Sequence, residues 1–200
     1  IETDSPISPI PIWSFVVRVG QSLEFFHNTT GGNSTTRSGS LLCNTNECTY
    51  ITGDGTRIVY DRQIIVGTTR ASTTPFSVPY GLLRNIYRGN GEVVTVNFVT
   101  TPNAIDGKRW LRVQSITNNL GYQIHFTYES NVSNSAADRT AWHRRLRAVA
   151  IDNNVYACAP TAFSCAVDGA GVQWPYLEYT QEPNDVDVVR NRAGETWRFD

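Results

Sequence analysis

The chain has 200 residues and nearly balanced charge, with 17 Lys and Arg against 18 Asp and Glu, a formal net charge of −1. This balance argues against a general nucleic-acid binder, because affinity for phosphate requires an excess of cations. The aromatic content of 11% argues against disorder, and no apolar run is long enough to predict a membrane span. The first residues include neither an initiator Met nor a signal peptide, so we expect a mature or excised segment of a longer protein.

Composition and order along the chain both favour β-structure. Thr and Val are abundant and are accompanied by Asn and Gly, which is typical of antiparallel strands joined by tight turns. The Pro-rich stretch 5–11 cannot be helical, stretch 13–26 reads as strand with a bend at Gly20, and stretch 27–40 reads as a polar loop. We therefore divide the chain into an extended N-terminal capping segment, 1–40, and a β-hairpin region, 41–200.

Within the hairpin region one unit recurs, a turn ending in Gly that leads into a short strand carrying aromatic residues. Glycine at the turn permits positive φ, and the alternating strand after it completes a hairpin. The five turn glycines are Gly55, Gly91, Gly121, Gly171 and Gly194. The aromatics assigned to the strands after them are Tyr60, Phe98, Phe126, Tyr128, Tyr179 and Phe199. Five copies in order predict an all-β fold of antiparallel β-hairpin repeats with loop insertions, forming a curved sheet or shell segment.

The third copy alternates between apolar and polar residues, which predicts a strand with one buried face. We expect Ile124, Phe126 and Tyr128 to pack against neighbouring strands, together with the equivalent aromatics of the earlier copies. Gln123 and His125 would then lie on the opposite, solvated face. On this prediction Phe126→Ala is costly and Gln123→Ala has almost no effect on stability.

The four cysteines form two local pairs, Cys43 with Cys48 and Cys158 with Cys165. Both pairs enclose short, turn-rich loops, which favours two disulfides and an oxidising compartment. Free thiols, or a zinc site that uses all four thiolates, are the alternatives. The spacing of the second pair is wider than that of usual structural zinc pairs, so we expect disulfides.

The hairpin unit resembles the RHS/YD repeat, in which Gly and a short strand are followed by Tyr-Asp. The pairs that stand at the Tyr-Asp position are Tyr60-Asp61, Tyr128-Glu129 and Phe199-Asp200. The resemblance is good over 41–130, weaker over 145–200 and loose over 1–40. One departure is that the usual Gly-Arg-Leu after Tyr-Asp is missing, since Tyr60-Asp61 is followed by Arg62-Gln63.

The resemblance implies a β-sheet that spirals into a hollow shell, which in this family encloses a toxic domain or forms large surface and secreted proteins. It implies an exported, non-enzymatic structural segment, extracellular or at the cell surface and bacterial in origin. Its partners would be the remainder of a larger repeat chain, further copies of itself, an enclosed toxin or a cell-surface partner, but no nucleic acid. A secreted carbohydrate-binding or adhesive β-sandwich is the alternative function.

Catalytic motifs are missing from the sequence, so we expect neither an enzyme nor a cofactor or metal site. His27, His125 and His143 are far apart in the sequence. Asp185 and Asp187 supply too few oxygens for a calcium loop and read as a solvated face. The basic stretch 143–147 reads as a salt-bridged strand rather than a nucleic-acid site.

Carbohydrate binding would need exposed aromatic residues on which a sugar ring can stack. Trp110, Trp174 and Trp197 lie in hairpin units, where packing explains them, and Trp142 is therefore the candidate platform. Trp142 belongs to the stretch 135–142, which could form a short helix capped by Ser135. We expect this stretch to be an exposed connector.

Overall fold

The computed structural model of the chain describes residues 13–19, 22–28, 34–36, 39–69, 72–101, 110–132, 134–135, 138–165, 174–182 and 186–199. The protein is nearly all-β and antiparallel, as predicted. Its contacts divide the chain into two compact units, Ile1–Gly91 and Glu92–Asp200. The division at 40/41 made from the sequence stays a prediction.

The first unit contains a two-stranded pair followed by strands that each pair with the next strand in the chain. The pair is β1 (Trp13–Val19) with β2 (Ser22–Asn28). The strands that follow are β3 (Ser34–Thr36), β4 (Gly39–Cys43), β5 (Glu47–Ile51), β6 (Arg57–Thr69) and β7 (Ser72–Tyr87). The stretch 27–40 is thus not simply a loop as predicted, because β2 extends into it and β3 pairs with the start of β4.

The second unit has the same pattern, and its strands pair in chain order from first to last. The strands are β8 (Val93–Thr100), β9 (Leu111–Asn118), β10 (Tyr122–Tyr128), β11 (Arg145–Asp152), β12 (Tyr176–Glu182), β13 (Val186–Asn191) and β14 (Thr196–Phe199). The helix among the described residues is α1 (Arg139–His143), between β10 and β11. No described helix has the length and apolar character that crossing a membrane would require.

The helix begins later than the sequence suggested. Its N-cap residue is Asp138, not Ser135, and the Asp138 carboxylate accepts hydrogen bonds from the backbone N–H groups of Asn134 and Ser135 at 2.8 and 3.0 Å. The carboxylate therefore closes the turn in front of the helix instead of leaving Ser135 to cap it. These hydrogen bonds also lower the pKa of Asp138.

Four of the five predicted turn glycines have positive φ, between 82° and 93°, and the fifth, Gly171, lies outside the described residues. The four are Gly55, Gly91, Gly121 and Gly194. In each turn the glycine N–H donates to the carbonyl three residues earlier. This is a four-residue turn whose last residue is left-handed, which is why glycine recurs there.

A β-bulge recurs at the same place after three successive hairpins. It lies where the second strand of the hairpin pairs with the next strand in the chain. The register shifts at the aromatic residue that the sequence assigns to the repeat: Tyr60, Phe98 and Tyr128. The residues skipped by the register on the facing strands are Arg84, Gln114 and Leu146. A bulge places two residues opposite one and increases the local twist, so the repeat extends beyond its turns.

Each unit has its own apolar clusters. In the first unit the buried cluster is Leu41, Cys48, Tyr50 and Ile58, and the Cys43–Cys48 disulfide joins paired positions of β4 and β5 at its margin. In the second unit one cluster centres on Phe126, Tyr128 and Ala148, and another on Val149, Ile151 and Cys158.

Candidate functional site

Strand β10 is covered on both faces, contrary to the prediction that its polar face is solvated. Gln123 and His125 are each only 2% exposed. The segment after β11, residues 153–165, covers them, and the Ser115 hydroxyl on the neighbouring strand donates to the Pro160 carbonyl at 2.7 Å. The prediction was wrong because strand alternation shows which residues share a face, but not what covers that face.

A chain of hydrogen bonds orients the buried imidazole of His125. The Asn153 side-chain amide donates to Gln123 Oε1 at 2.8 Å, so Gln123 Nε2 is free to donate toward His125 Nδ1 at 3.1 Å. Nδ1 is then the acceptor nitrogen and Nε2 carries the proton. His125 Nε2 is buried without a hydrogen-bond partner.

The same imidazole lies beside the second disulfide, Cys158–Cys165, whose pairing the structure confirms. His125 Nδ1 is 3.7 Å from Cys158 Sγ, and Gln123 Nε2 approaches the same sulfur at 3.4 Å. Burial is the main cause that lowers the pKa of His125, and the Phe163 backbone weakly opposes it. The histidine is therefore neutral at neutral pH, and its Nδ1, which accepts from Gln123, also lies beside the sulfur.

The other prediction for β10 is confirmed in part. Phe126 and Tyr128 are buried at 7% and 4% exposure, and the Tyr128 hydroxyl donates to the Val113 carbonyl. Ile124, however, is 42% exposed, so the prediction that it packs inward was wrong. Its cross-strand partners Ile116 and Ala150 give it neighbours within the sheet, but no described segment covers that end of the strand as 153–165 covers the opposite face.

The remaining repeat aromatics differ in burial. Tyr60, Phe98 and Tyr179 are half-buried, and Phe199 is 57% exposed on β14. Burial raises the pKa of Tyr60. Aromatic residues at equivalent places in the repeat thus have different structural roles. In the middle of the second unit they form a core, and on the last strand they remain at the surface.

A buried arginine lies next to this site, and no sequence pattern predicts it. Arg112 is 5% exposed, with its guanidinium carbon 3.9 Å from the centre of the Trp142 ring and 4.3 Å from that of Tyr128. Trp142 is itself 1% exposed, so the tryptophan that was the candidate sugar platform is not an exposed one. The stretch around it is a packed connector, because the cation and the indole ring bury each other.

The hydrogen bonds of the Arg112 guanidinium all go to neutral groups, and its Nε is buried without a hydrogen-bond partner. The four oxygens that accept its hydrogen bonds, at 2.9 to 3.2 Å, are the carbonyls of Ser130 and Trp142 and the side-chain oxygens of Gln114 and Asn131. Desolvation lowers its pKa from the ordinary arginine value, although arginine remains charged at neutral pH. Gln114, the bulged residue of β9, also donates to the Phe126 carbonyl at 2.7 Å, so Arg112 connects the bulge to α1.

The basic stretch 143–147 is a salt-bridged segment, as predicted. Arg144 pairs with Glu129 at 3.2 Å and Arg147 with Glu178 at 3.0 Å. The Arg145 guanidinium stacks on Phe126, 4.4 Å from the ring centre. These cations are used within the second unit, which argues for a structural role.

The other polar residues that the sequence singled out do not converge on one place. His143 is exposed, and burial together with Arg139 lowers its pKa. Asp187 is exposed on β13, whereas Asp185 lies outside the described residues, as does the side chain of His27. Of these histidines, His125 lies beside groups with which it can interact, and a loop about thirty residues further along the chain supplies one of them, Cys158.

Comparison of the chain with protein-family models, with curated proteins and with solved structures found no match.

Proposed function

We propose that this chain is a non-enzymatic structural scaffold of the RHS/YD-repeat type, built from β-hairpins added side by side. The observation that carries the proposal is the recurrence of one geometry in successive units. A left-handed glycine closes each turn, and a bulge faces the repeat aromatic further along the strand. Repeated units that each contact their neighbours form scaffolds whose length follows the number of copies.

The last strand offers an edge to which a further strand of the scaffold can pair. Strand β14 pairs with β13 on one side, and all four of its residues are exposed, including Trp197 at 45% and Phe199 at 57%. An open strand with exposed aromatics is a template for another strand. We propose that a further hairpin, from more of the same chain or from a second copy, pairs with this edge.

Export is the second part of the proposal. Two disulfides tie loops in different units, Cys43–Cys48 in the first and Cys158–Cys165 in the second. Such bonds persist outside the reducing cytosol. We accordingly place the scaffold in the extracellular space or at a bacterial cell surface, where an enclosed toxin or a surface partner would be its cargo or contact.

Edge pairing can be tested with a proline that blocks the open side of β14. The Asn191 N–H donates to the Glu195 carbonyl at the hairpin turn, and Val189 pairs with Trp197. Because amide directions alternate along an antiparallel strand, the N–H of Trp197 faces β13 and that of Thr196 faces the open edge. Thr196→Pro therefore removes an edge donor without removing a bond to β13.

We expect the wild-type chain to self-associate with rising concentration in sedimentation velocity experiments, and Thr196→Pro to stay monomeric. Thr196→Val is the matched control, since it retains the backbone N–H and should associate like the wild type. A wild-type chain that stays monomeric at every concentration, or a proline variant that associates equally well, would contradict the proposed edge.

A groove in the second unit favours the adhesive alternative. It has a volume of about 1210 Å³, and its walls include Arg139, Arg145, Tyr179 and Phe199. Cations beside aromatic rings suit an anionic polysaccharide, whose sugar rings would stack while its acidic groups meet arginine. Calorimetric titration with an acidic and a neutral polysaccharide tests this, and equal heats with both, or none, would argue against an anionic ligand.

A further inference from the structure

The two disulfides differ in what surrounds them. Beside the second disulfide, His125 Nδ1, Cys158 Sγ and Cys165 Sγ all lie within 4.8 Å of one another. Within the described part of the chain this is the one set of three such ligand groups, and the first disulfide has no equivalent. His125 and Cys158 are buried and Cys165 is half-buried, so the three donors form a shielded cluster at the base of the covering segment.

The spacing of the cluster fits a tetrahedral metal. With Zn–S and Zn–N bonds at their usual lengths, a sulfur and a nitrogen on one zinc ion lie about 3.6 Å apart. The distance from Cys158 Sγ to His125 Nδ1 is 3.7 Å. The imidazole can become a ligand once the Gln123 amide, which donates to Nδ1, turns to Cys158 Sγ instead, because Nδ1 then carries a free lone pair.

We propose that the dithiol form of this cluster binds one zinc ion through His125 Nδ1, Cys158 Sγ and Cys165 Sγ, with a fourth position open to water. Two thiolates and one imidazole form a ligand set that is typical of zinc sites. This site differs from the four-thiolate site considered from the sequence, since it uses one cysteine pair and a histidine. It is independent of the proposed scaffold function.

The chemistry has two balanced steps. A reductant supplies two electrons that break the S–S bond, and the two sulfurs take up two protons to give two thiols. A thiol reductant provides the protons and is oxidised to a disulfide, whereas a phosphine is oxidised to a phosphine oxide, with the oxygen and the protons supplied by water. Zinc then displaces both thiol protons and forms two Zn–S bonds and one Zn–N bond. The half-buried Cys165 sulfur has room to move, so that the two sulfurs can separate to about 3.8 Å, the distance between two thiolates on one zinc ion.

The disulfide closes a loop within segment 153–165, and the metal would close the same loop and also join it to His125 on β10. The neighbouring side chains suit both. Gln123 Nε2, held by Asn153, donates toward Cys158 Sγ at 3.4 Å and would stabilise a bound thiolate. A protein reduced before or after export would then keep its cover by binding metal.

The test uses the full chain, reduced with a phosphine in the absence of oxygen and titrated with Co²⁺, whose absorption reports tetrahedral sulfur ligation. We expect one equivalent of Co²⁺ to give sulfur-to-metal charge-transfer bands, Zn²⁺ to bleach them, and the oxidised chain to give none. His125→Ala should weaken Co²⁺ binding by about tenfold or more. The Cys43→Ser/Cys48→Ser double variant should bind as the wild type does.

A second measurement needs no variant. In the reduced wild-type chain, Zn²⁺ should protect Cys158 and Cys165 from alkylation while Cys43 and Cys48 react, as read by mass spectrometry of peptides. Absence of the charge-transfer bands would overturn the proposal, and so would their loss in the Cys43→Ser/Cys48→Ser variant, which would indicate a four-thiolate site. Equal protection of all four cysteines would overturn it as well.

Discussion

Gly121 is subject to two constraints at once. Its φ of 93° lies in the left-handed region, and a Cβ atom added there would lie 2.2 Å from Asn154 Nδ2. That amide donates to the Leu120 carbonyl and to Asp152 Oδ1, at 3.1 and 2.9 Å. A side chain at position 121 would therefore strain the backbone and also displace Asn154 from two hydrogen bonds. The turn after β9 is thus coupled to the turn after β11.

This coupling predicts that Gly121→Ala destabilises the chain more than the same change at Gly55. Gly55 has a φ of 82° and open space around it, so Gly55→Ala should cost about 1 kcal/mol of unfolding free energy from backbone strain alone. Gly121→Ala should cost about 2–3 kcal/mol, since the lost hydrogen bonds add to the strain. Denaturant unfolding of the two variants checks this, and equal losses would show that Asn154 moves aside without cost.

His125 makes stability depend on pH in a definite direction. Burial lowers its pKa in the folded state, so the unfolded chain binds a proton more readily once the pH falls below the ordinary histidine pKa of about 6.5. Its contribution to stability is therefore complete above that pH and is lost as the pH falls. The loss cannot exceed about 1.4 kcal/mol per pH unit for one proton.

We expect His125→Gln to flatten the fall in unfolding free energy between pH 7 and pH 5. His143→Gln is the comparison. The pKa of His143 is also lowered, but its side chain is exposed and its protonated form stays hydrated, so we expect this variant to flatten the fall less than His125→Gln does. Denaturant titrations at several pH values give the comparison. A wild-type chain whose stability is constant across this range, or an effect that belongs to His143 instead, would contradict the assignment.

At the scale of the element, β10 shows how far a sequence pattern reaches. Gly121 and the buried Phe126 and Tyr128 were predictable, because turn chemistry and alternation are local properties. The burial of Gln123 and His125 was not, because the segment that covers them comes about thirty residues later and no local signal links the two. Arg112 was missed for the same reason, since its ring partners come from three separate segments.

The cover on both faces predicts that β10 is sensitive on both sides. Phe126→Ala should cost about 3–5 kcal/mol, because it leaves a cavity beside Tyr128 and Ala148. Gln123→Ala should cost about 1–3 kcal/mol, because it leaves Asn153 and His125 without their buried partner. Exposed Thr180→Ala on β12 is the control for a solvated strand position. In denaturant unfolding, a loss below about 0.5 kcal/mol for Gln123→Ala would support the prediction made from the sequence that this face is solvated.

At the scale of the whole molecule, the division into Ile1–Gly91 and Glu92–Asp200 is supported by where the interactions lie. The clusters around Phe126 and Val149, the Arg112 contacts and the second disulfide all belong to the second unit. No change of composition marks residue 91 in the sequence, since the hairpin pattern continues through it. Strand chemistry alone therefore cannot locate a boundary between units of the same kind.

We predict that a chain of residues 92–200 folds by itself, because its two described buried clusters consist of its own residues. It should unfold in a single cooperative transition and retain the near-ultraviolet circular dichroism of the buried Trp142. Among the described residues the counterpart, 1–91, has one buried cluster, around Tyr50, against two in 92–200, and we expect it to be the less stable of the two. A broad, non-cooperative transition for 92–200 would mean that this unit depends on the first.

Pairing between neighbours in the chain also has a kinetic consequence. Within each unit a strand finds its partner a few residues away, so little loop entropy is spent before a contact forms, and low contact order accompanies fast folding. During synthesis each hairpin can close soon after its second strand emerges. The exception is segment 153–165, which reaches back to Gln123 and His125 and can close over β10 only after Cys165 has been made. Folding in the second unit can therefore proceed strand by strand, and the disulfide-bearing cover can close over β10 before β12, β13 and β14 have been made.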